Sequence, residues 1–176
     1  MKSATVKKMV LSALFLALAL VLPFLTGQIP EIGSMLCPMH LPVLLCGFFC
    51  GWPWGLAVGL IAPVLRSAIF SMPPMFPAAV CMSLELATYG AVCGALYPKL
   101  QAKKQGIYIS LLVAMVAGRL VWGAARFLWA GLDPTAFGLS AFWSGAIVTA
   151  LPGIAVQIVL IPLLVMTLKR RSPVKN

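Results

Sequence analysis

Four charged residues lie inside long apolar stretches of this 176-residue chain: Arg66, Glu85, Arg119 and Arg126. An ionisable group inside a bilayer is costly, so it usually pairs with another group or lines a cavity. One carboxylate cannot neutralise three arginines, and the excess of cations favours a pocket for an anionic or zwitterionic small molecule. The alternative interpretation is a Glu85–Arg pair that only ties helices together, with Arg126 extending toward the membrane surface.

Aromatic and imidazole side chains accompany these charges at helical spacing. Arg119, Trp122 and Arg126 are three and seven positions apart and would share one helix face, and Tyr89 lies one turn from the glutamate. His40 alone is interpreted as a capping or packing group rather than a metal ligand, because a metal site needs several ligands. No metal site is predicted. We predict substrate-binding residues, of which the histidine and the first arginine stay open to a structural role: Arg66, Glu85, Tyr89, Arg119, Trp122, Arg126 and His40.

The composition decides which class of protein can hold such residues. Hydrophobic residues make up 62% of the chain and charged residues 9%, whereas soluble domains are about half apolar and about a quarter charged. A soluble fold of this length could not bury so much apolar surface. This excludes a cytosolic enzyme, a disordered chain and a secreted disulfide scaffold. The sequence therefore predicts an all-α integral membrane protein, with residues 1–176 forming a single transmembrane domain.

Apolar runs separated by polar or proline-rich breaks predict six transmembrane helices in one bundle. The second run is short for a membrane span, and the sixth contains Pro152 and Pro162, which predict a kink or a brief break. The stretch 71–77 holds three prolines and cannot continue a helix. The runs extend over approximately residues 7–27, 40–51, 54–70, 77–97, 106–131 and 139–168.

Ten of the 13 lysines and arginines lie in three short clusters without acidic residues, each next to an apolar run. Cytoplasmic loops of membrane proteins have this distribution, and with six spans it places the N- and C-termini in the cytoplasm. The clusters lack the interleaved aromatic residues of a nucleic-acid surface, so no nucleic-acid partner is predicted despite the net charge of +10. The clusters are Lys2, Lys7 and Lys8; Lys99, Lys103 and Lys104; and Lys169, Arg170, Arg171 and Lys175.

No motif for catalysis or for ATP binding occurs in the chain. Gly-x-x-x-x-Gly-Lys-Ser/Thr, Gly-x-Ser-x-Gly and His-Glu-x-x-His are absent, so we expect neither an enzyme nor a protein that binds ATP itself. Six helices without an internal repeat make a small frame for alternating access. A protein that captures a ligand for transport but has no source of energy of its own must use the source of energy of a partner protein. The pair Ala13-x-x-x-Ala17 in the first run offers a smooth stripe that another helix can approach closely.

Together these features resemble the substrate-binding S component of an energy-coupling factor (ECF) vitamin transporter. The resemblance covers essentially the whole chain and rests on the length, the six runs, Ala13-x-x-x-Ala17 and the long first outer loop. It also rests on local segments similar to those of S components in the group that includes pantothenate, folate and cobalamin carriers. These segments are His40-Leu-Pro-Val-Leu-Leu-Cys-Gly, Gly51-Trp-Pro-Trp-Gly, Ser71-Met-Pro-Pro-Met-Phe-Pro, Glu85-Leu-Ala-Thr-Tyr-Gly and Ala150-Leu-Pro-Gly-Ile-Ala-Val-Gln.

The resemblance implies a division of labour among subunits. This chain would bind a vitamin in an outward-facing pocket capped by the first outer loop, and would dock through Ala13 and Ala17 onto a transmembrane T component. Two ATP-binding subunits joined to that component would hydrolyse ATP, so this chain would bind no cofactor itself. The S component would then topple in the membrane and release the vitamin inside. Members of the family are prokaryotic, which implies a multi-pass protein of the bacterial plasma membrane.

The resemblance also implies where the ligand lies, while the identity of the vitamin stays open. Arg66 is less typical of such pockets. Arginines suit a carboxylate or phosphate, which favours pantothenate or another acidic vitamin, but cobalamin, folate and pyridoxine-type ligands remain alternatives. The implied pocket comprises the loops 28–39 and 71–77 together with Glu85, Tyr89, Arg119, Trp122 and Arg126.

Two other functions stay open from the residues alone. A stand-alone proton-coupled secondary carrier of a small organic anion would use Glu85 as its proton-binding group. A membrane-embedded enzyme would have to use Cys37 or His40, which is a poor constellation for catalysis.

Overall fold

Helices account for all the regular secondary structure in the residues that the computed structural model describes, which are 2–26, 37–103, 105–130 and 151–171. Two short helical turns, Leu22–Thr26 and Met75–Ala79, follow the first helix and precede the fourth. The longer helices of the described residues are α1 (Lys2–Val21), α2 (His40–Cys50), α3 (Trp52–Phe70), α4 (Val80–Leu100), α5 (Gly106–Ala130) and α6 (Leu151–Arg171).

Five of the helical segments in the described residues are long and apolar enough to cross a membrane. α2 is the exception: its 11 residues extend over about 16 Å at roughly 1.5 Å per residue, about half of a hydrocarbon core. The sequence-based prediction of a short second run is therefore confirmed. The five segments are Ser3–Leu25, Trp52–Phe70, Met75–Leu100, Gly106–Trp129 and Leu151–Lys169.

The outer surface of the bundle is apolar, whereas part of its interior is polar. Leu128 is 78% exposed and Val159 is 69% exposed. Glu85 and Gln157, by contrast, are each only 2% exposed. This distribution of polar and apolar side chains is the reverse of that in a soluble protein. A bilayer solvates apolar side chains on the surface, so polar side chains pair with one another in the interior. The structure thus supports a multi-pass membrane protein.

α4 lies at the centre of the bundle and packs against α2, α3 and α5. Its close approach to α3 depends on Gly55 and Gly90, because a Cβ atom at either position would collide with the backbone of the other. α3 packs on α1, α2 and α4, while α5 packs on α4 and α6. Residues on opposite sides of α4 therefore meet different neighbours.

The helix ends agree with most of the breaks predicted from the sequence. α3 ends at Phe70, with Ser71 in the left-handed region at φ 57°, and the proline-rich stretch that follows leads through the short turn into α4. α6 continues through Pro162 as one helix, so the structure shows no break at this proline, while the alternative of a kink stays a prediction. Residues 27–36, which include most of the loop predicted at 28–39, and the stretch 131–150, which includes the start of the sixth run, lie outside the described residues.

Candidate functional site

One carboxylate oxygen gathers three side chains in the interior of the bundle. Glu85 Oε1 accepts a hydrogen bond of 2.9 Å from the Tyr89 hydroxyl. The same oxygen lies 3.2 Å from Nη1 of Arg119 and 3.5 Å from Nε2 of His40. The four residues come from α2, α4 and α5, so the cluster joins three helices.

Tyr89 owes its position to the glycine that faces it. A Cβ atom on Gly118 of α5 would collide with the ring of Tyr89, so only glycine leaves room for the ring at this point. Tyr89 and Glu85 are four residues apart on α4 and therefore share a face, which brings the hydroxyl to the carboxylate. The ring centroid of His40 lies 5.3 Å from that of Tyr89 and completes the packing.

The arginines of α5 flank one tryptophan. The guanidinium carbons of Arg119 and Arg126 lie 6.0 Å and 5.9 Å from the ring centroid of Trp122, a cation–π geometry. The predicted common face of these three residues is therefore present in the helix. Arg119 continues toward the Glu85 cluster, while Arg126 is half-buried further along α5.

Arg119 also reaches a cysteine that the sequence argument had connected only with an enzyme. Its Nη2 lies 4.0 Å from Sγ of Cys37, which is 7% exposed. Burial raises the pKa of the Cys37 thiol to about 11, although the charge of Arg119 opposes this shift. At neutral pH the group is therefore a thiol rather than the thiolate that acts as a nucleophile, which argues against cysteine-based catalysis.

Arg66 contacts a different part of the bundle. Its Nη1 donates a hydrogen bond of 2.6 Å to the backbone carbonyl of Leu20. Its guanidinium carbon lies 5.0 Å and 5.3 Å from the ring centroids of Phe24 and Phe70. Arg66 makes these contacts because it lies where α3 packs on α1. The structure thus brings together six of the predicted residues, His40 included, and gives Arg66 contacts that tie α1 to α3.

Several buried polar atoms of the described residues have no hydrogen-bond partner in the structure. They include Nδ1 of His40 and Nε of Arg119, and Oε1 of Gln157 on α6. Buried polar atoms without partners are rare in folded proteins and call for an explanation, such as a ligand that supplies the missing bonds. No group of three or more His, Cys, Asp or Glu side chains that could hold a metal ion occurs among the described residues.

Gln157 lies at the depth of Tyr89. Tyr97 of α4 and Val165 of α6 line one cleft near the C-terminal ends of both helices. Gln157 and Tyr89 are each eight residues before these two positions, about 12 Å along each helix. Gln157 also shares its buried face with Val165, and α6 packs on α2 and α5, the helices that carry His40 and Arg119.

Sequence reasoning assigned Gln157 no role of its own, although the residue ends one of the segments behind the family resemblance. A signal was present, because Gln157 is the only Asn, Gln or charged residue between Asp133 and Lys169. A strongly polar side chain within a membrane helix faces the protein interior for the same reason as a charge does.

Ala13 and Ala17 lie on the exposed side of α1, next to the exposed Leu14. The opposite side of the helix is buried through Ser12 and Phe15. The described part of the bundle therefore leaves this stripe uncovered.

The structure describes a helical bundle of the multi-pass membrane class with a charged cluster in its interior, where such groups mark candidate functional sites. The family described as ECF transporter, substrate-specific component, matches residues 7–165, and the chain belongs to this family. The resemblance stated from the sequence is thereby confirmed. No curated protein and no solved structure matches the chain. Membership makes the chain a transporter component rather than an enzyme, and implies association with the T and ATPase components of an ECF transporter.

Proposed function

We propose that this chain captures a small water-soluble vitamin or vitamin precursor at the Glu85 cluster, for ATP-driven uptake by an ECF transporter. The observation that carries the proposal is the buried grouping of Glu85, Arg119, Tyr89 and His40 in a member of the substrate-specific family. A structural ion pair alone would leave unexplained why polar atoms of the same residues stay without partners.

The chemistry of the cluster favours a ligand with an acidic group and an additional hydrogen-bond donor. Glu85 neutralises and orients Arg119, whose Nε–H remains available as a donor to a ligand carboxylate or phosphate. The indole of Trp122, between two guanidinium groups, offers an apolar wall. Oε1 of Gln157 would accept a hydrogen bond from a hydroxyl or amide of the ligand.

The placement in the membrane follows from the charge distribution. With six spans, the basic clusters and both termini lie in the cytoplasm of a bacterial cell, and the Glu85 end of the bundle faces outward. The exposed stripe of Ala13 and Ala17 then docks on the T component. The two ATP-binding subunits of the complex supply the energy, and this chain binds no cofactor of its own.

The test begins with native mass spectrometry of the purified full-length chain, which identifies the small molecule that remains bound. Calorimetric titration of that molecule then compares Arg119→Ala with Leu120→Ala, a control at the adjacent position, where the side chain is 62% exposed. We expect Arg119→Ala to lower the affinity by at least about tenfold, because truncating one partner of a buried charge pair weakens binding strongly. Leu120→Ala should bind as the wild type does.

Two results would contradict the proposal. One is equal ligand affinity of both variants, which would return Arg119 to a purely structural pair with Glu85. The other is solute uptake by the chain alone in liposomes under a proton gradient, because a stand-alone secondary carrier needs no ECF partner.

A further inference from the structure

A second polar feature lies near the C-terminal ends of α4 and α6, twelve residues along α4 from Glu85. A cleft of about 530 Å³ is formed there by α4, α5 and α6. Ile107 of α5 and Val165 of α6 make its walls apolar, and Met166, which is 48% exposed, borders it on the outer surface of the bundle. The remaining lining residues are Tyr97, Thr167 and Lys169.

A lysine and a tyrosine form the polar end of this cleft. Nζ of Lys169 donates a hydrogen bond of 2.8 Å to the hydroxyl of Tyr97 and lies 4.2 Å from the centroid of its ring. Tyr97 is 7% exposed, and its ring is held edge-on by Phe48 at a centroid distance of 5.0 Å. The ammonium group is thus fixed in place by a partner that carries no charge.

No carboxylate balances this ammonium group within the described residues, where both ion pairs involve Glu85. The Tyr97 oxygen accepts from Lys169, so its own hydrogen is free to point into the cleft. Lys169 keeps two further N–H donors. Together the two side chains present converging donors and one positive charge, which is the complement of a phosphate group.

The position of the cleft indicates whether that phosphate belongs to a lipid headgroup or is free in solution. Lys99 and Lys103 of the second basic cluster lie at the same end of α4, and α6 ends there in Lys169 and the following arginines. By the charge rule this end is in the cytoplasmic leaflet, where anionic lipids concentrate and basic pockets between helices bind their headgroups. A free phosphate would use the donors but leave the apolar walls without a partner.

We infer that the cleft binds an anionic phospholipid, with the headgroup phosphate on Lys169 and Tyr97 and an acyl chain along Ile107, Val165 and Met166. The site is separate from the solute site, so the inference stands or falls independently of the proposed function. A zwitterionic phosphatidylcholine binds less well, because its choline group cancels the attraction of the phosphate to the ammonium.

Native mass spectrometry of the full-length chain tests this inference with three probes: dioleoylphosphatidylglycerol, dioleoylphosphatidylcholine and inorganic phosphate. The wild type should retain phosphatidylglycerol over phosphatidylcholine by about fivefold or more, and Lys169→Gln should lose that preference. Fivefold corresponds to about 1 kcal/mol, which is within what one direct charge-assisted hydrogen bond from Lys169 to the phosphate contributes. Tyr97→Phe, which keeps the ring packing, should lose part of the preference.

Lys103→Gln is the matched control. Lys103 is exposed near the C-terminal end of α4, and its substitution removes the same charge as Lys169→Gln. Equal loss of preference in this control would show a diffuse surface effect and overturn the inference. Full retention of phosphatidylglycerol by Lys169→Gln would also overturn it, as would displacement of the lipid by millimolar inorganic phosphate. If Lys169→Gln impaired assembly with the T component without changing lipid retention, the cleft would be a protein contact instead.

Discussion

Glu85 serves two purposes at one oxygen atom, and the two can be separated by mutation. Its charge compensates the partly buried Arg119, and its position orients the arginine together with Tyr89 and His40. A pair that merely tied helices together would need only the compensation. A binding site also needs the remaining hydrogen-bond donors of Arg119. A mutation can therefore change the stability of the protein and its affinity for the ligand by different amounts.

We predict that Glu85→Gln lowers the free energy of unfolding by roughly 3 kcal/mol, because it leaves the guanidinium of Arg119 buried without a counter-charge. The double variant Glu85→Gln/Arg119→Gln should recover much of that loss but should not bind the ligand. Thermal unfolding in detergent and calorimetric titration measure the two quantities. Ligand binding by the double variant at wild-type affinity would show that neither charge contacts the ligand.

Gln157 leads to a prediction with opposite signs for stability and binding. Its Oε1 is buried without a hydrogen-bond partner, and such a group costs roughly 1–3 kcal/mol. We predict that Gln157→Leu, which removes that group at similar volume, leaves the melting temperature unchanged or raises it while it weakens ligand binding. Ile158→Leu, a volume-conserving change at the next position of α6, is the control. A lower melting temperature with unchanged affinity would make Gln157 a structural residue.

The residues of the buried cluster could be singled out from sequence, but their contacts could not be predicted, and their role in binding stays a prediction. A charge inside an apolar run is rare enough to single out Glu85 and Arg119, and helical spacing placed Trp122 on the same face as the arginine. The same reasoning grouped Arg66 with them. Its actual contacts with Leu20 and Phe24 depend on which helix lies beside α3, and the pattern within one run contains no information on its neighbours.

Helix α4 sets the geometry of the site because it packs between α3 and α5. Its Gly90 allows contact with the backbone of α3, and its Tyr89 fills the space over Gly118 of α5. The periodicity of the sequence predicted α4 as a helix, but the packing of α4 between its neighbours rests on glycines that sequence alone does not distinguish from ordinary membrane-helix glycines.

We predict that Gly118→Ala displaces the ring of Tyr89 and breaks its hydrogen bond to Glu85. The expected cost is roughly 1–3 kcal/mol of unfolding free energy, as for other overpacked interiors, together with weaker ligand binding. In the double variant Gly118→Ala/Tyr89→Ala the clash is absent, so the glycine change should add little to the effect of Tyr89→Ala. Thermal unfolding of the four proteins in this cycle gives the coupling.

Additive effects of the two changes in that cycle would contradict the role assigned to Gly118. The glycine would then serve the approach of α5 to α4 as a whole rather than the position of one ring. Ligand affinity also distinguishes positioning of the Tyr89 ring from a general approach of α5 to α4. A general loosening of the α4–α5 contact would weaken ligand binding whether or not residue 89 carries a hydroxyl.

On the scale of the whole molecule, the three proposed interactions use separate parts of the chain. The Glu85 cluster lies in the interior of the bundle near the middle of α4 and α5, the Lys169 cleft near the C-terminal ends of α4 and α6, and the exposed alanines on the side of α1. The class of protein could be predicted from composition and charge distribution, since a bilayer constrains both. The order of helices around α4 could not, because lipid-facing and protein-facing apolar residues look alike in sequence.

The side surface of α1 yields the last prediction. Ala13 and Ala17 are exposed and small, so a helix of the T component can approach the α1 backbone closely. A tryptophan at either position would hold the two helices apart. We predict that Ala13→Trp and Ala17→Trp each abolish co-purification with the T and ATP-binding subunits, while the isolated variants bind the ligand with wild-type affinity.

The control for this experiment is Ala124→Trp, because Ala124 is exposed on α5, away from α1. It introduces the same bulky group into the lipid-facing surface and should leave the complex intact. If all three variants lost the complex, bulk at the membrane surface would be the cause rather than α1. If the α1 variants kept it, the partner would have to approach through another exposed face of the bundle, and the alanine stripe would be only a lipid contact.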